Sequence, residues 1–534
     1  MSQKRKFWGW GYEDFPLSPG MLENYTHMLK FSLGIKEFED IPEPQIGELN
    51  LNEPRFSLPA ELGEICSSDP FDRASHTYGK SFRDVWRGLM GRFEHAPDYV
   101  AFPKTETEIL ALMRFCAAEN ISLIPFGGGS SVVGGVEPSK TDKYKGTISL
   151  DMKHFDQILE IDKASRSVRV QAGIFGPALE QGLKAHGLSL RHYPQSFEFS
   201  TAGGWIVTRS GGHFATLYTH IDEFVQSVRM VSPSGIMQTR KLPGSGAGPS
   251  EERLVCGSEG IFGVVTEAWL RVQDIPTFKE AQTVSFDSFE KGVEACRQIA
   301  QSGLNPSNAR LVSPLEALSN GLGKGNDTVL ILGFESHDHE LGKWMERALE
   351  ICKGLGGYWK VKEKKAEAPR DKAADAWKKS FLQAPYMRDE LIKKGMVVET
   401  FETAVTWDQF DAFHKGVESA TLAALKEHCG GGIVTVRFTH LYPDGPAPYY
   451  TVIAKGEKGR QLEQWDKIKK AASDAIIKYG GTITHHHAVG KDHQPFYEKQ
   501  HSAAFKTVLK NVKKGFDPAG ILNPGVLLRE EDLE

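Results

Sequence analysis

Two stretches of this chain carry residue types whose spacing suits chemistry. The first is Pro125-Phe126-Gly127-Gly128-Gly129-Ser130-Ser131, which runs on to Gly134-Gly135. Consecutive glycines admit positive φ and let the backbone approach a ligand with no Cβ in the way. Successive N–H groups in such a turn form an anion-binding concavity, with serine hydroxyls as further donors. A phosphate or pyrophosphate suits it; a tight turn between two strands is the other reading. No Lys-Ser or Lys-Thr follows the glycines, so this is not a P-loop. Val132 stands where a G-x-G-x-x-G fingerprint needs its third glycine. The second stretch, residues 480–493, holds three adjacent histidines, His485, His486 and His487. Imidazole is the side chain best placed to move protons near neutral pH. In an extended segment neighbours point to opposite faces, so His485 and His487 should share one side and His486 take the other. Structural hydrogen bonding is an alternative. Metal ligation is the weakest one, because no third ligand stands at a familiar spacing, and no metal is expected.

The elements that must position these groups can be read from periodicity. Ile121 to Phe126 is an apolar run that feeds the glycine loop as a short buried strand. Residues 105–120 have the spacing of an amphipathic helix starting at a Thr cap. Short strands follow at 146–152 and 167–173, then a helix over 177–186. Residues 193–212 gather Ser196, Ser200, Thr201, Gly203, Gly204, Thr208, Ser210, Gly211 and Gly212 with few charges. That composition is poor for a core and good for lining a closely approached polar ligand. A hairpin with a Pro-Ser-Gly turn comes next, and residues 255–272 form a Gly/Ser turn leading into a long apolar strand.

From about residue 276 a strand-helix-strand alternation occurs twice, which suits a sheet with helices on one side. The charged stretch 361–379 reads as a solvated face. Ahead of residue 95 the chain is rich in Pro, aromatics and charge, with helical spacing over 21–35. Trp8, Trp10 and Tyr12 are expected to pack onto the main body.

The totals exclude some functions. With 534 residues the length suggests about three or four compact units. Lys and Arg number 64 against 69 Asp and Glu, a formal charge of −5, and no basic stripe points to nucleic acid. The six cysteines are scattered without a C-x-x-C pair, as in a reducing compartment. No run approaches the ~20 apolar residues of a membrane-spanning helix. The N-terminus lacks a secretory apolar region and the C-terminus lacks a Ser-Lys-Leu address. A cytoplasmic protein is expected, membrane-associated at most peripherally.

The order of strand, glycine loop, strands, Ser/Thr/Gly segment and Gly-Ser-Glu-Gly turn resembles the flavin-binding half of the vanillyl-alcohol oxidase family. That family is also called the FAD-linked oxidase or p-cresol methylhydroxylase type. The resemblance implies an α+β fold: a two-subdomain FAD-binding domain plus an α/β cap domain with an antiparallel sheet. It divides the chain into an N-terminal region 1–95, a FAD domain 96–275, a cap 276–500 and a returning segment 501–534. Implied cofactor contacts are the seven residues Pro125 to Ser131. To these it adds Gln195, Ser196, Glu198, Phe199, Ser200, Thr201, Thr208, Arg209 and Ser210, and then Glu259, Gly260, Gly263, Val264 and Val265. Some members attach FAD to a histidine of the glycine loop; Ser130 and Ser131 stand there, which implies non-covalent FAD.

Within that family, His-His-His-x-Val-Gly-Lys together with EFSTAGGW, GSEGIFGVVTEA, FETAVTW and an early GWGY resembles the alkyldihydroxyacetonephosphate synthases, over nearly the whole chain. The activity this implies is an exchange without net redox. A base removes a C1 proton of 1-acyl-dihydroxyacetone phosphate, flavin N5 captures the carbanion, the fatty acid leaves, and a long-chain fatty alcohol forms the ether bond. His485, His486 and His487 match the family's histidine cluster and Tyr449 its acid/base tyrosine, with Tyr450 and Tyr442 as alternatives. Arg388 matches its phosphate-binding arginine and Arg310 an arginine near the flavin. The alternative function is a FAD-dependent 2-hydroxy-acid dehydrogenase of D-lactate or glycolate type, in which the arginines would hold a carboxylate. A homodimer and contact of helix 21–35 with a lipid surface complete the expectations.

Overall fold

Thr105 opens the helix Glu106–Glu119 with a capping box, its hydroxyl accepting the Glu108 N–H while the Glu108 carboxylate accepts the Thr105 N–H. Asn120, left-handed at φ 53°, ends the helix and turns the chain into strand Ile121–Phe126. This is how the glycine loop is delivered. The computed structural model describes residues 4–15, 17, 19–322, 325–360 and 372–533. Ile121–Phe126 pairs in parallel with Gly146–Asp151, which pairs in parallel with Tyr99–Ala101; Cys66–Ser67 adds an antiparallel edge. Every residue of Gly146–Asp151 is buried, as a central parallel strand requires.

A second, antiparallel sheet orders Ile158–Asp162, Ser167–Gln171, Val264–Arg271, Val225–Ser232 and Gly235–Gln238. Its last two strands form the expected hairpin, with Ser232 opposite Gly235 across Pro233-Ser234. The chain's C-terminal part returns to this half. Leu123 donates its N–H to the Ile521 carbonyl, and Asn523 donates to the Leu123 carbonyl.

The cap is one six-stranded antiparallel sheet in the order Phe278–Phe286, Thr328–Ser336, Asn308–Val312, Ile433–Leu441, Pro446–Lys455, Met396–Glu402. The repeated strand-helix-strand units do not close as parallel pairs. In each repeat a third strand inserts between the first two, so two β-α-β-β-α units meet at Val312 opposite Arg437 and continue one sheet. Helices Phe289–Gln301, Gly342–Gly354, Phe410–Cys429 and Gln461–Lys478 cover one face. Leu311, Leu330, Val436, Phe438, Tyr450 and Val452 point into that layer. Each such side chain contributes about 1.5–3 kcal/mol by leaving water. Alternation puts Arg310, Thr435, Arg437, Tyr449 and Thr451 on the other face.

Trp8 packs into the cap core, while Trp10 and Tyr12 pack edge-on against Phe199. Of the charged stretch 361–379, residues 361–371 lie outside the described residues and the remainder opens helix Lys372–Lys393. Among the described residues no helix is long and apolar enough to cross a membrane.

Candidate active site and cofactor cavity

One cavity runs from the glycine loop, along the short helix Ala202–Thr208, to the uncovered face of the cap sheet. The glycine loop owes its shape to close packing. A Cβ on Gly128 would lie 1.9 Å from the Phe199 carbonyl oxygen, and Gly129 sits at φ +67°. The Ser131 hydroxyl accepts the Gly135 N–H at 2.9 Å, its carbonyl accepts the Lys80 N–H, and the Arg5 guanidinium donates to the Gly128 carbonyl at 2.9 Å. The loop is therefore held before any guest arrives.

Pro125 to Ser131, Gln195, Ser196, Ser200, Thr201, Thr208 and Ser210 line the cavity, as do Glu259, Gly260, Gly263, Val264 and Val265. Three expected contacts do not. Phe197–Phe199 is a single 3-10 turn that turns Glu198 to solvent and buries Phe199 against Trp10. Arg209 is the left-handed residue ending helix Ala202–Thr208, and it reaches outward to Asp222 at 2.9 Å. Contiguity with a lining segment does not make a residue part of the lining.

On the sheet face, Arg437 stacks over the Tyr449 ring at 3.9 Å and bonds Glu316 at 2.5 Å; Glu316 also accepts the Thr435 hydroxyl. Burial raises the Tyr449 phenol above its ordinary range, with Arg437 acting against that shift. Burial, then the neighbouring Arg437 charge, brings Arg310 down to about 9. The sheet separates the three tyrosines. Tyr450 faces the helices and bonds His414, and Tyr442 lies with His220 and His485, so only Tyr449 of the three lines the cavity. A β-bulge between Phe438 and His440 then shifts the phase of the strand, opposite Pro448, which has no N–H to offer. Thr439 and His440 consequently both reach the cavity.

The histidines are not extended. Residues 484–487 curl around the buried Glu402 carboxylate, which accepts the backbone N–H groups of His485 (2.7 Å), His486 (3.1 Å) and His487 (2.9 Å) and the Thr484 hydroxyl (2.6 Å). The expected pairing of His485 with His487 is thereby replaced. His486 and His487 line the cavity, and His485 turns behind it, its Nδ1 3.0 Å from His486 Nδ1. Burial brings both cavity imidazoles down to about 3, so they are neutral acceptors at pH 7. Glu259 moves the opposite way, pushed up to about 7 by burial although it accepts the Val489 and Gly490 N–H groups.

Arg388 also lines the cavity. Its guanidinium donates to the Lys80 carbonyl at 2.6 Å and to Asp389, which itself accepts the Trp10 N–H. Beyond it the cavity continues between apolar side chains, among them Met21, Met28, Leu315, Leu391 and Ile453. Sequence reading missed Glu402, Arg437, His440 and Asn523. Arg437 leaves a signal, a charged residue between threonines at period two in Thr435–Thr439; Glu402 stands in the FETAVTW motif, but nothing local there pairs it with the histidines.

The donor set fits FAD. Glycine-loop amides and hydroxyls suit a pyrophosphate, while Met152, Val207, Val264 and Val265 give an apolar wall for a ring system. Asn523 donates its amide to the Gly135 and Glu259 carbonyls, which leaves Oδ1 buried in the cavity wall with no hydrogen-bond partner among the described residues. Comparisons with known proteins agree. Residues 97–240 match the model of the FAD binding domain family, and residues 275–527 match that of the FAD linked oxidases, C-terminal domain. An alkyldihydroxyacetonephosphate synthase of Dictyostelium discoideum is 30% identical over 92% of this chain and 84% of its own length. A solved alkyldihydroxyacetonephosphate synthase superposes with a TM-score of 0.82 at 26% identity, covering 97% of this chain and 98% of that one. A substrate-bound p-cresol methylhydroxylase shares the fold at TM-score 0.69 and 14% identity, over 97% and 99% of the two chains. From the glycine loop to the histidine loop, then, the chain belongs to the alkyldihydroxyacetonephosphate synthase group of the FAD-linked oxidase family, on the vanillyl-alcohol oxidase/p-cresol methylhydroxylase fold.

Proposed function

We propose that this protein is a FAD-dependent alkylglycerone-phosphate synthase, which exchanges the acyl chain of 1-acyl-dihydroxyacetone phosphate for a long-chain alcohol without net redox. The observation that carries this reading is continuity. The polar floor with Arg310, Arg437, Tyr449, His486 and His487 opens directly into the apolar passage past Met28 and Leu391. A small hydroxy acid needs no such passage; an acyl chain and a fatty alcohol do. The passage is walled partly by helix Pro19–Leu33, whose Phe31 is 90% exposed, and we extend the proposal to contact of this helix with a lipid surface.

FAD, held non-covalently against the glycine loop and the Ser/Thr segment, supplies an electron-poor ring that can take up a carbanion's electron pair and return it. Arg388 already makes three hydrogen bonds, and its remaining N–H groups are available to a phosphate. A neutral imidazole, His486 or His487, takes the C1 proton, which is possible because burial keeps both uncharged at pH 7. Tyr449, protonated and stacked under Arg437, is the matching donor for the departing carboxylate.

The test is an anaerobic spectrum. Palmitoyl-dihydroxyacetone phosphate should bleach the oxidised flavin band with release of palmitate, and hexadecanol should restore it. Tyr449→Phe should slow the exchange by about 10²–10⁴-fold with flavin content unchanged. Bleaching by D-lactate or glycolate, with none by the acyl substrate, would replace this reading with a dehydrogenase. Flavin that stays with acid-precipitated protein would overturn the non-covalent part.

A further inference from the structure

His220, His440 and His485 come from three distant segments: the one after the flavin-side helix, the cap sheet and the histidine loop. One ring nitrogen of each nevertheless lies within 4.8 Å of the others. Tyr442 closes the group. Its phenol oxygen is 2.7 Å from His220 Nε2 and 2.8 Å from His485 Nε2, and those two nitrogens are 3.1 Å apart. The exchange chemistry proposed above gives none of these four a role.

Counting protons shows what the cluster lacks. A neutral imidazole has one N–H. His440 directs Nε2 at the Gly212 carbonyl, 2.8 Å away, and so its proton is there; Nδ1 is a lone pair, buried with no hydrogen-bond partner among the described residues. His220 has a further hydrogen bond to the Arg209 backbone, which favours its proton away from Nε2. His485 can carry its proton on Nδ1, in the 3.0 Å contact with His486. The lone pairs of His220 Nε2 and His485 Nε2 then meet with a single phenol proton to share, beside His440 and its unpartnered Nδ1. A backbone carbonyl or second imidazole behind each ring is the outer-shell arrangement that presents a histidine to a metal.

We infer that His220, His440, His485 and Tyr442 form a binding site for a transition-metal dication, zinc first. Three imidazoles and a phenol oxygen are a nitrogen-rich set that suits zinc and excludes magnesium or calcium. With metal–nitrogen bonds of about 2.0–2.1 Å, tetrahedral ligands stand about 3.3–3.4 Å apart. The contacts of 2.7–3.1 Å among Tyr442, His220 and His485 need to open by only a few tenths of an ångström, and His440, whose ring nitrogen lies within 4.8 Å of the other two, completes the set by closing on the ion. Binding displaces the phenol proton to solvent and ties the flavin half to the cap and the histidine loop. It also fixes tautomers. With Nε2 of His485 on the ion, its proton must be on Nδ1 and point at His486 Nδ1, so His486 carries its own proton on Nε2. His487 is then the unconstrained base of the cavity. The ion's binding does not depend on which substrate the cavity takes.

The experiment uses the full chain with FAD, stripped by a chelator and given Zn²⁺ or Co²⁺ at pH 7.5. The expected result is one equivalent of zinc retained through gel filtration, and cobalt bound with the visible bands of a four-coordinate nitrogen/oxygen site. His220→Gln should weaken zinc by about 100-fold or more, beyond what losing an outer-shell partner costs. Tyr442→Phe should weaken it about tenfold, and it is the deciding variant if His220→Gln loses its flavin band. No retained ion, or retention that the folded variants leave unchanged, overturns the site.

Discussion

The glycine loop and the histidine loop deliver polar groups to the same cavity, yet they are held by opposite means. The first is shaped by what its residues lack. Gly128 passes the Phe199 carbonyl where no Cβ fits, and the loop is closed by the Ser131 hydroxyl four residues back from Gly135. The second is shaped by one carboxylate from a distant strand. Glu402 gathers three backbone N–H groups and a hydroxyl, and without it His485, His486 and His487 have no reason to turn as they do. Both loops meet distant segments, but the residue type that permits the first, glycine, is written in the loop itself, whereas the carboxylate that gathers the second lies more than eighty residues away. A loop of the first kind announces itself in composition; a loop of the second kind depends on its partner.

The largest effect should come from breaking the gathered loop. Glu402→Ala leaves the His485 and His486 N–H groups and the Thr484 hydroxyl without their acceptor, at about 1–3 kcal/mol each before relaxation, while the His487 N–H keeps only its second acceptor, the Thr484 hydroxyl. Turnover should fall by about 10³-fold or more while flavin absorbance persists, since no glycine-loop contact is touched. Near-normal turnover would show that the histidines hold their places without the carboxylate. Gly128→Ala should do the reverse, at a smaller cost of about 1–3 kcal/mol for overpacking. Flavin content of the purified protein should drop, and the residual loaded fraction should turn over normally. A fully loaded variant would mean that the two loops can separate freely.

A further effect is a pH dependence of stability, which leaves activity at neutral pH untouched. Buried His192, His486 and His487 are held at about 3 in the native state, against an ordinary value of 6.5 in the unfolded chain. Between those values the unfolded chain binds more protons, so the stability these groups contribute is full above pH 6.5 and is lost as pH falls below it. Each contributes a slope of up to about 1.4 kcal/mol per pH unit. Melting temperature should therefore decline from pH 6.5 to 5, and His192→Gln should flatten the decline. A flat profile in the parent protein would show that these imidazoles are already charged in the native state.

Much of the flavin half was legible before any coordinates. The capped helix, the strand, the glycine loop and the hydroxyl-rich segment are each encoded within about fifteen consecutive residues. The three residues wrongly placed at the cavity, Glu198, Phe199 and Arg209, lie in a stretch that touches it, but a 3-10 turn and a left-handed cap point their side chains elsewhere. In the cap, alternation alone would send His440 into the helix layer beside Phe438. The bulge opposite Pro448 puts it on the cavity face instead. The proposed metal site leaves no spacing signal, because His220 and His440 stand 265 and 45 residues from His485 and no local pattern counts them.

By itself, then, the amino-acid sequence determined the order of modules, the phosphate-type loop, the two-repeat cap and the family, because periodicity, glycine content and cap residues act over a turn or a strand. Tertiary structure alone decided which of three tyrosines meets the cavity, which two of three histidines line it and which carboxylate holds them. Those choices turn on sheet register and on the pairing of buried charge with backbone amides. Both are settled only when segments tens of residues apart pack together and exclude water.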